Sequence, residues 1–286
     1  MKINNSNFMS EKKVYIKTKD YSISKESFIL EYEPSLDMLI TTPQPKDISK
    51  YYKEESYISH KDESKQFLDK IYFIVKKYTL NKKIKFISQY QNESKTLLDI
   101  GTGTGDFLNE AKRKNWTTTG IEINPIARQK AQSKDLEIFK SIEHLGDKKY
   151  NLITLWHVLE HLPNLEEQIE KLDNLLEVGG TLIIAVPNYK SYDAKYYKHH
   201  WAAFDVPRHL WHFSKNSIKI LFKKKGLNIK KITPMYFDSY YVSILSEKYK
   251  NGKTNYFNAM YRGWQSNLEA RRTGQYSSLI YTLQRG

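Results

Sequence analysis

The chain has 286 residues, with 46 Lys and Arg against 32 Asp and Glu, a formal charge of +14. That length holds one sizeable α/β domain with additions. It has no cysteine, which excludes disulfides and thiolate metal sites and fits a cytoplasmic location. No apolar run reaches the roughly 18 residues of a membrane span, and the stretch from Met1 to Ser6 lacks the apolar core of a signal segment. The lysines are spread along the chain, so the charge allows a nucleic-acid partner without demanding one.

Taken in chain order, residues 1–60 read as a small β-rich extension, with short alternating segments such as Val14-Tyr15-Ile16 and Phe28-Ile29-Leu30 ahead of a proline loop near 41–45. His60 alone offers no zinc site there. A helix over roughly 64–90 follows. From 96 onward strands and helices alternate, which demands a parallel sheet. Strands are predicted at 96–100, 117–123, 136–140, 151–156, 181–187 and 227–233, with a last one at 278–284. Helices are predicted at 105–114, 125–133, 164–177 and 215–225. In the third of these, Leu165, Ile169, Leu172, Leu175 and Leu176 form one face, Asn164 is the expected N-cap and Gly179-Gly180 the expected stop. Residues 189–214 read as a lid after the fifth strand, and 235–275 as a partly helical insertion before the last.

The run Asp99-Ile100-Gly101-Thr102-Gly103-Thr104-Gly105-Asp106 takes an apolar strand through a glycine turn into a helix. A dinucleotide fingerprint needs a glycine three places after the second one, and that place is Asp106. Carboxylates at Asp99 and Asp106 would repel a pyrophosphate and attract an ammonium group. The turn therefore favours a nucleoside that carries an amino acid. Glu122 ends the second strand, where a carboxylate can accept both ribose hydroxyls.

With these residues in view, the sequence resembles the class I S-adenosylmethionine-dependent methyltransferases, specifically small-molecule enzymes related to quinone-biosynthesis O-methyltransferases. The resemblance rests on the glycine turn, on Gly120-Ile121-Glu122-Ile123-Asn124, on the segment from Leu152 to Leu162, and on Gly179 to Asn188. It spans roughly residues 60–233 plus the last strand. It implies a Rossmann-like, seven-stranded, mostly parallel sheet with an antiparallel last strand, helices on both faces, and S-adenosyl-L-methionine as cofactor. It also implies cofactor contacts from Asp99, Gly101, Thr102, Gly103, Gly105, Asp106, Glu122, Ile123, Ser141, Ile142, Trp156 and His157.

His157, Glu160 and His161 form a His-x-x-Glu-His string that also matches a zinc-peptidase motif. It follows a strand directly, whereas the peptidase motif lies within a helix, so no metal is expected. The segment from His199 to Phe213 is the distinctive addition. Aromatics such as Trp201 could stack on an acceptor and Arg208 could clamp an acid, with Asn188 and His209 lining the same pocket. Candidate general bases are His157, His161, His209 and His212, since imidazole titrates near neutrality. The reading is O-methylation of a small-molecule acceptor by a monomer or homodimer. RNA or protein methylation and a non-catalytic cofactor-binding module stand as alternatives.

Overall fold

The computed structural model describes residues 13–52 and 78–285. The expected boundary at residue 60, His60, the Met1–Ser6 start and most of the 64–90 helix lie outside them. Three strands open the described chain: β1 (Lys13–Lys19), β2 (Ser27–Glu33) and β3 (Met38–Thr42). Residues 78–87 are helical (α1). The core then runs β4 (Thr96–Ile100), α2 (Asp106–Lys112), β5 (Thr117–Ile121), α3 (Pro125–Gln132), β6 (Glu137–Phe139), β7 (Tyr150–Trp156), α4 (Leu165–Leu175) and β8 (Leu176–Pro187). The remainder is α5 (Tyr192–Tyr197), β9 (Trp211–His212), α6 (Lys215–Lys223), β10 (Leu227–Pro234), α7 (Asp238–Asn251), α8 (Tyr256–Thr273) and β11 (Ser278–Arg285).

Seven strands form one sheet in the order β10-β11-β8-β7-β4-β5-β6. β4 pairs in parallel with β5 and β7, as does β7 with β8, while β11 lies antiparallel to both its neighbours. The strand period of two sorts neighbouring residues onto opposite faces. Leu98, Ile153 and Leu182 join a cluster with the apolar face of α4 and with Ile218, Leu221 and Phe222 of α6. Leu97, Leu152 and Ile183 join the other, with Ile84 and Ile87 of α1, Leu108 of α2 and Ala131 of α3. Because β7 is covered on both sides, its Tyr-Asn-Leu-Ile-Thr-Leu-Trp run is almost continuously buried. The strand order runs outward from β4 on one side and from β7 on the other, and this switch between two parallel neighbours opens a crevice at the carboxyl ends of the strands.

Two expectations at α4 are corrected. Asn164 sits in the left-handed region at φ 51° and makes no capping bond; its amide donates to Glu167 instead. The helix ends at Leu175, and Gly179-Gly180 lie inside β8, where the pairing with β7 shifts register. The Leu176 N–H, and neither glycine, donates to the Asp173 carbonyl at the end of α4. Gly180 is required because a Cβ there would fall 2.9 Å from the Glu177 carbonyl oxygen. The 235–275 insertion is a pair of packed helices, α7 and α8.

The extension and the lid are joined in a second sheet, ordered β1-β2-β3-β9, whose last strand comes from the lid. Phe28, Leu30 and Leu39 share an apolar cluster with Tyr197, Trp201, Phe204 and Val206. At its margin Arg208, 6% exposed, bridges Asp20 and Asp205. Burial would raise the Asp20 carboxyl pKa, but the Arg208 guanidinium and the Ser24 and Ile23 amides hold it far below the usual carboxylate range. A depressed pKa stabilises the fold above the unfolded value of about 4 and loses that contribution as pH falls below it. Asp20→Asn, which leaves the guanidinium short of its buried partner, is expected to cost about 3–5 kcal/mol at neutral pH. Its deficit relative to wild type in thermal melts should narrow as pH is lowered toward 3.

Candidate functional site

The site is assembled at the carboxyl ends of β4, β5 and β7. Beyond β4 the chain turns through Gly101, Gly103 and Gly105, all at positive φ, before entering α2. Gly101 and Thr102 donate backbone hydrogen bonds to the Ile121 carbonyl at 2.8 and 3.0 Å, which ties the turn to the end of β5. A Cβ on Gly101 would lie 2.4 Å from a Val158 methyl carbon. A Cβ on Gly103 would meet nothing described within 4 Å. Gly101 therefore has a packing reason to be glycine, and Gly103 has a backbone and cradle reason.

Glu122, 8% exposed, closes the turn from the far side. One carboxylate oxygen accepts the Gly103 N–H at 2.7 Å and the other accepts the Asn124 N–H at 2.8 Å. Those bonds aim the carboxylate across the turn and leave acceptor capacity on both oxygens. The next residue, Ile123, is 76% exposed, a large apolar side chain beside the turn that suits the face of a planar base. Asp99 is buried beneath the turn and accepts from the Thr154 hydroxyl at 2.6 Å. Burial pushes its carboxyl up to about 6, partly offset by that hydroxyl and by Lys83. Thr102 Oγ1 and Trp156 Nε1 are buried polar atoms with no hydrogen-bond partner among the described residues. An adenosyl amino acid fits this donor set: a diol for Glu122, an apolar face at Ile123, and orphaned polar atoms beside a glycine cradle.

Other expected cofactor residues lie at the rim. Asp106 begins α2 and pairs with Lys134 at 2.5 Å. Ser141 Oγ is 2.9 Å from His144 Nδ1, while Ile142 packs into the core. Lys83 was not singled out from the sequence. Its Nζ lies 4.3 Å from the centre of the Trp156 ring, and burial lowers its pKa. Placed by α1, it lies close enough to Asp99 and Asp238 to interact with both carboxylates. Its signal was only one lysine among many.

His157 terminates β7 at φ 58°, a strained conformation for a residue with a Cβ. Its Nε2 lies 3.0 Å from Asp238 of α7 and its Nδ1 3.4 Å from Glu160. Burial alone would lower its pKa, but hydrogen bonds to the two carboxylates outweigh this and raise it to about 10. As an imidazolium at neutral pH it cannot take a proton, so its expected role as a base is corrected. Asp238 was not foreseen, because only the return of α7 brings it to β7.

The lid residues are also redistributed. All the guanidinium nitrogens of Arg208 are committed, to Asp20, Asp205, Ser22 and the Tyr51 carbonyl, so it does not clamp an acceptor. Trp201 is 2% exposed and donates to Asp193 at 2.7 Å, so it packs the lid instead of stacking on an acceptor. His212 is buried against Thr41, and burial pushes its pKa well below the usual value. Asn188 is spent on Gln275 and the Tyr276 carbonyl, holding the end of β8 to the start of β11. His161 and His209 do come together, with ring centres 4.5 Å apart beside Glu160. Burial and the neighbouring His209 lower the His161 pKa to about 4, so it is neutral.

The strand order, the antiparallel β11 and the glycine turn define a class I methyltransferase fold. Residues 72–232, more than half of the chain, match the Methyltransferase domain family, and the chain belongs to that family. Among curated proteins it is 28% identical over 123 residues to a ubiquinone biosynthesis O-methyltransferase of Hydrogenovibrio crunogenus. That match covers 38% of this chain and 51% of the relative, so the chain spans about half the relative's length. Among solved structures, magnesium protoporphyrin IX methyltransferase of Synechocystis PCC 6803 with bound SAH superposes with a TM-score of 0.52 at 15% identity. It covers 80% of this chain and 91% of that one. A SAM-dependent methyltransferase of Thermotoga maritima gives 0.52 at 16% identity, over 77% and 97%.

Replacing Gly103 by Val should leave the protein folded, at a strain of about 1–3 kcal/mol for a branched side chain at positive φ. It should weaken S-adenosylhomocysteine binding at least tenfold in titration calorimetry. Unchanged affinity would remove the turn from the site.

Proposed function

We propose that the chain binds S-adenosyl-L-methionine at the glycine turn and methylates a hydroxyl of a small molecule. Bound there, the cofactor supplies an electrophilic methyl group. The Gly103 backbone and Glu122 hold the ribose, Ile123 covers the base, and Lys83 and Asp99 face the charged amino-acid end. His157, kept protonated between Asp238 and Glu160, positions the end of β7. The lid and the α7–α8 pair exclude water, which leaves alignment as the main demand on the protein.

The observation that carries the hydroxyl reading is the group Glu160, His161 and His209 beside the strand ends. A hydroxyl must lose its proton before or as it attacks, whereas a neutral amine need not. A buried carboxylate and a neutral imidazole next to the crevice answer that demand. The O-methyltransferase name of the curated relative supports the same choice.

Turnover with phenols, carboxylic acids and RNA, read as S-adenosylhomocysteine released, tests the proposal. Hydroxyl-bearing small molecules should be the substrates; methylation of RNA alone would overturn it. His161→Ala should lower kcat by roughly 10²–10⁴-fold while S-adenosylhomocysteine affinity changes little. Equal losses in both would assign His161 to cofactor binding.

A further inference from the structure

Helix α8 carries its small side chains inward and its large ones outward. Ala259, Gly263, Ser266 and Ala270 face the domain. A Cβ on Gly263 would lie 2.6 Å from the Tyr240 ring, and the Ser266 hydroxyl donates to Asp193 at 2.7 Å. α7 and α5 therefore press close on that side. The opposite side bears Phe257, Met260, Tyr261, Trp264 and Leu268, with exposures from 45% at Tyr261 to 86% at Phe257. Their spacing of three and four residues sets them in one stripe along an 18-residue helix roughly 27 Å long. Tyr261 and Trp264 stack within it, ring centres 5.9 Å apart. The Asn267 amide donates to the Tyr236 carbonyl at 2.9 Å, and the half-exposed Tyr236 widens the face. Scattered apolar side chains on a surface need no explanation. A continuous stripe of large ones, opposite a side already packed, marks a face built to be covered.

We infer that this face docks on a second copy of the chain, the two α8 helices packing antiparallel about a two-fold axis at Trp264. The order of residues along the stripe carries the choice of occupant. Phe257 and Arg271 each lie seven residues from Trp264, and Met260 and Leu268 each lie four. Reversing a copy about Trp264 sets tryptophan beside tryptophan, Met260 beside the partner's Leu268, and Arg271 beside the partner's Phe257. Every contact off the axis then occurs twice, as an isologous interface requires. An aromatic face attracts the guanidinium, and an aromatic and methionine-rich centre is typical of interface cores. Parallel packing would instead oppose Arg271 to its own copy. The antiparallel pair parts the two Arg271 side chains by roughly 21 Å, beyond the ~8 Å screening length of physiological salt. A chain of net charge +14 can therefore meet itself on this face. α7, packed against α8, carries Asp238 to His157. Pairing thus braces the helices that border the strand-end crevice, whatever group is methylated there.

Sedimentation velocity of the full chain over a concentration series should show the 33.8 kDa monomer passing to a dimer. Trp264→Glu, which sets two carboxylates against each other on the axis, should weaken dimerisation on the order of 100-fold. Its circular dichroism spectrum should match that of the wild type, because Trp264 is half exposed. The chain lacks cysteine, so introduced thiols report the geometry. A mixture of the Phe257→Cys and Arg271→Cys chains should form a disulfide-linked heterodimer under mild oxidation. Either chain alone should cross-link poorly, its two thiols being roughly 21 Å apart. A wild type that stays monomeric at the highest concentration, or a dimer that Trp264→Glu leaves intact, would overturn the inference. Equal cross-linking of each chain alone would overturn the antiparallel register. Monomeric protein that floats with phosphatidylglycerol vesicles through Trp264 would give the face to a lipid surface and overturn the second copy.

Discussion

The buried ion pair between Arg208 and its two aspartates is the interaction on which the additions to this fold depend. Its guanidinium reaches Asp20 in the turn between β1 and β2, and Asp205 within the lid. Its carbonyl receives His161, and the next residue, His209, faces Glu160. One residue thus ties the N-terminal sheet, the lid and the histidine cluster to a common frame. A guanidinium suits this place because its donors form a rigid fork, and four of them can serve two carboxylates at once. Removing one partner would strand a charge in a dry interior, which costs more than the pair contributes in net terms.

The electrostatics of the strand ends run against those of the molecule. The chain carries +14 overall, yet Asp99, Glu122, Glu160 and Asp238 gather where the parallel strands end. Two of these acids are answered by His157, and the other two by hydroxyl or amide donors. The crevice is therefore prepared for a ligand with positive charge, and the basic exterior says nothing about the chemistry inside. Asp99, 3% exposed, lies on the floor of that crevice, and its burial pushes the carboxyl pKa up.

Patterns carried by consecutive residues were legible from the chain alone. The alternation of β4, β5, β7 and β8 with helices, the glycine turn, and a carboxylate at the end of β5 all lie within spans that local geometry governs. Where local rules competed, they misled. Gly179-Gly180 resembles a helix stop, yet the chain passes straight from α4 into β8 and uses them in a strand. Asn164 resembles a cap but adopts a left-handed turn, and its side chain makes no capping bond. In the lid, residue chemistry was read correctly while its direction was not. Trp201, Arg208 and His212 are capable of contacting a ligand, and they face the N-terminal sheet instead.

Hydrophobic period, turn chemistry and motif spacing thus determined the class of fold and the place of the glycine turn, since each is encoded over a few adjacent residues. Tertiary structure alone decided which polar groups face one another. Asp238 reaches His157 from 81 positions away, and Asp20 meets Arg208 across 188. His209 is brought beside Glu160 from 49 positions away by the lid, where the Leu210 N–H donates to the Glu160 carbonyl and β9 pairs with β3. Side-chain direction and burial depend on such long-range closures, and no local propensity carries them.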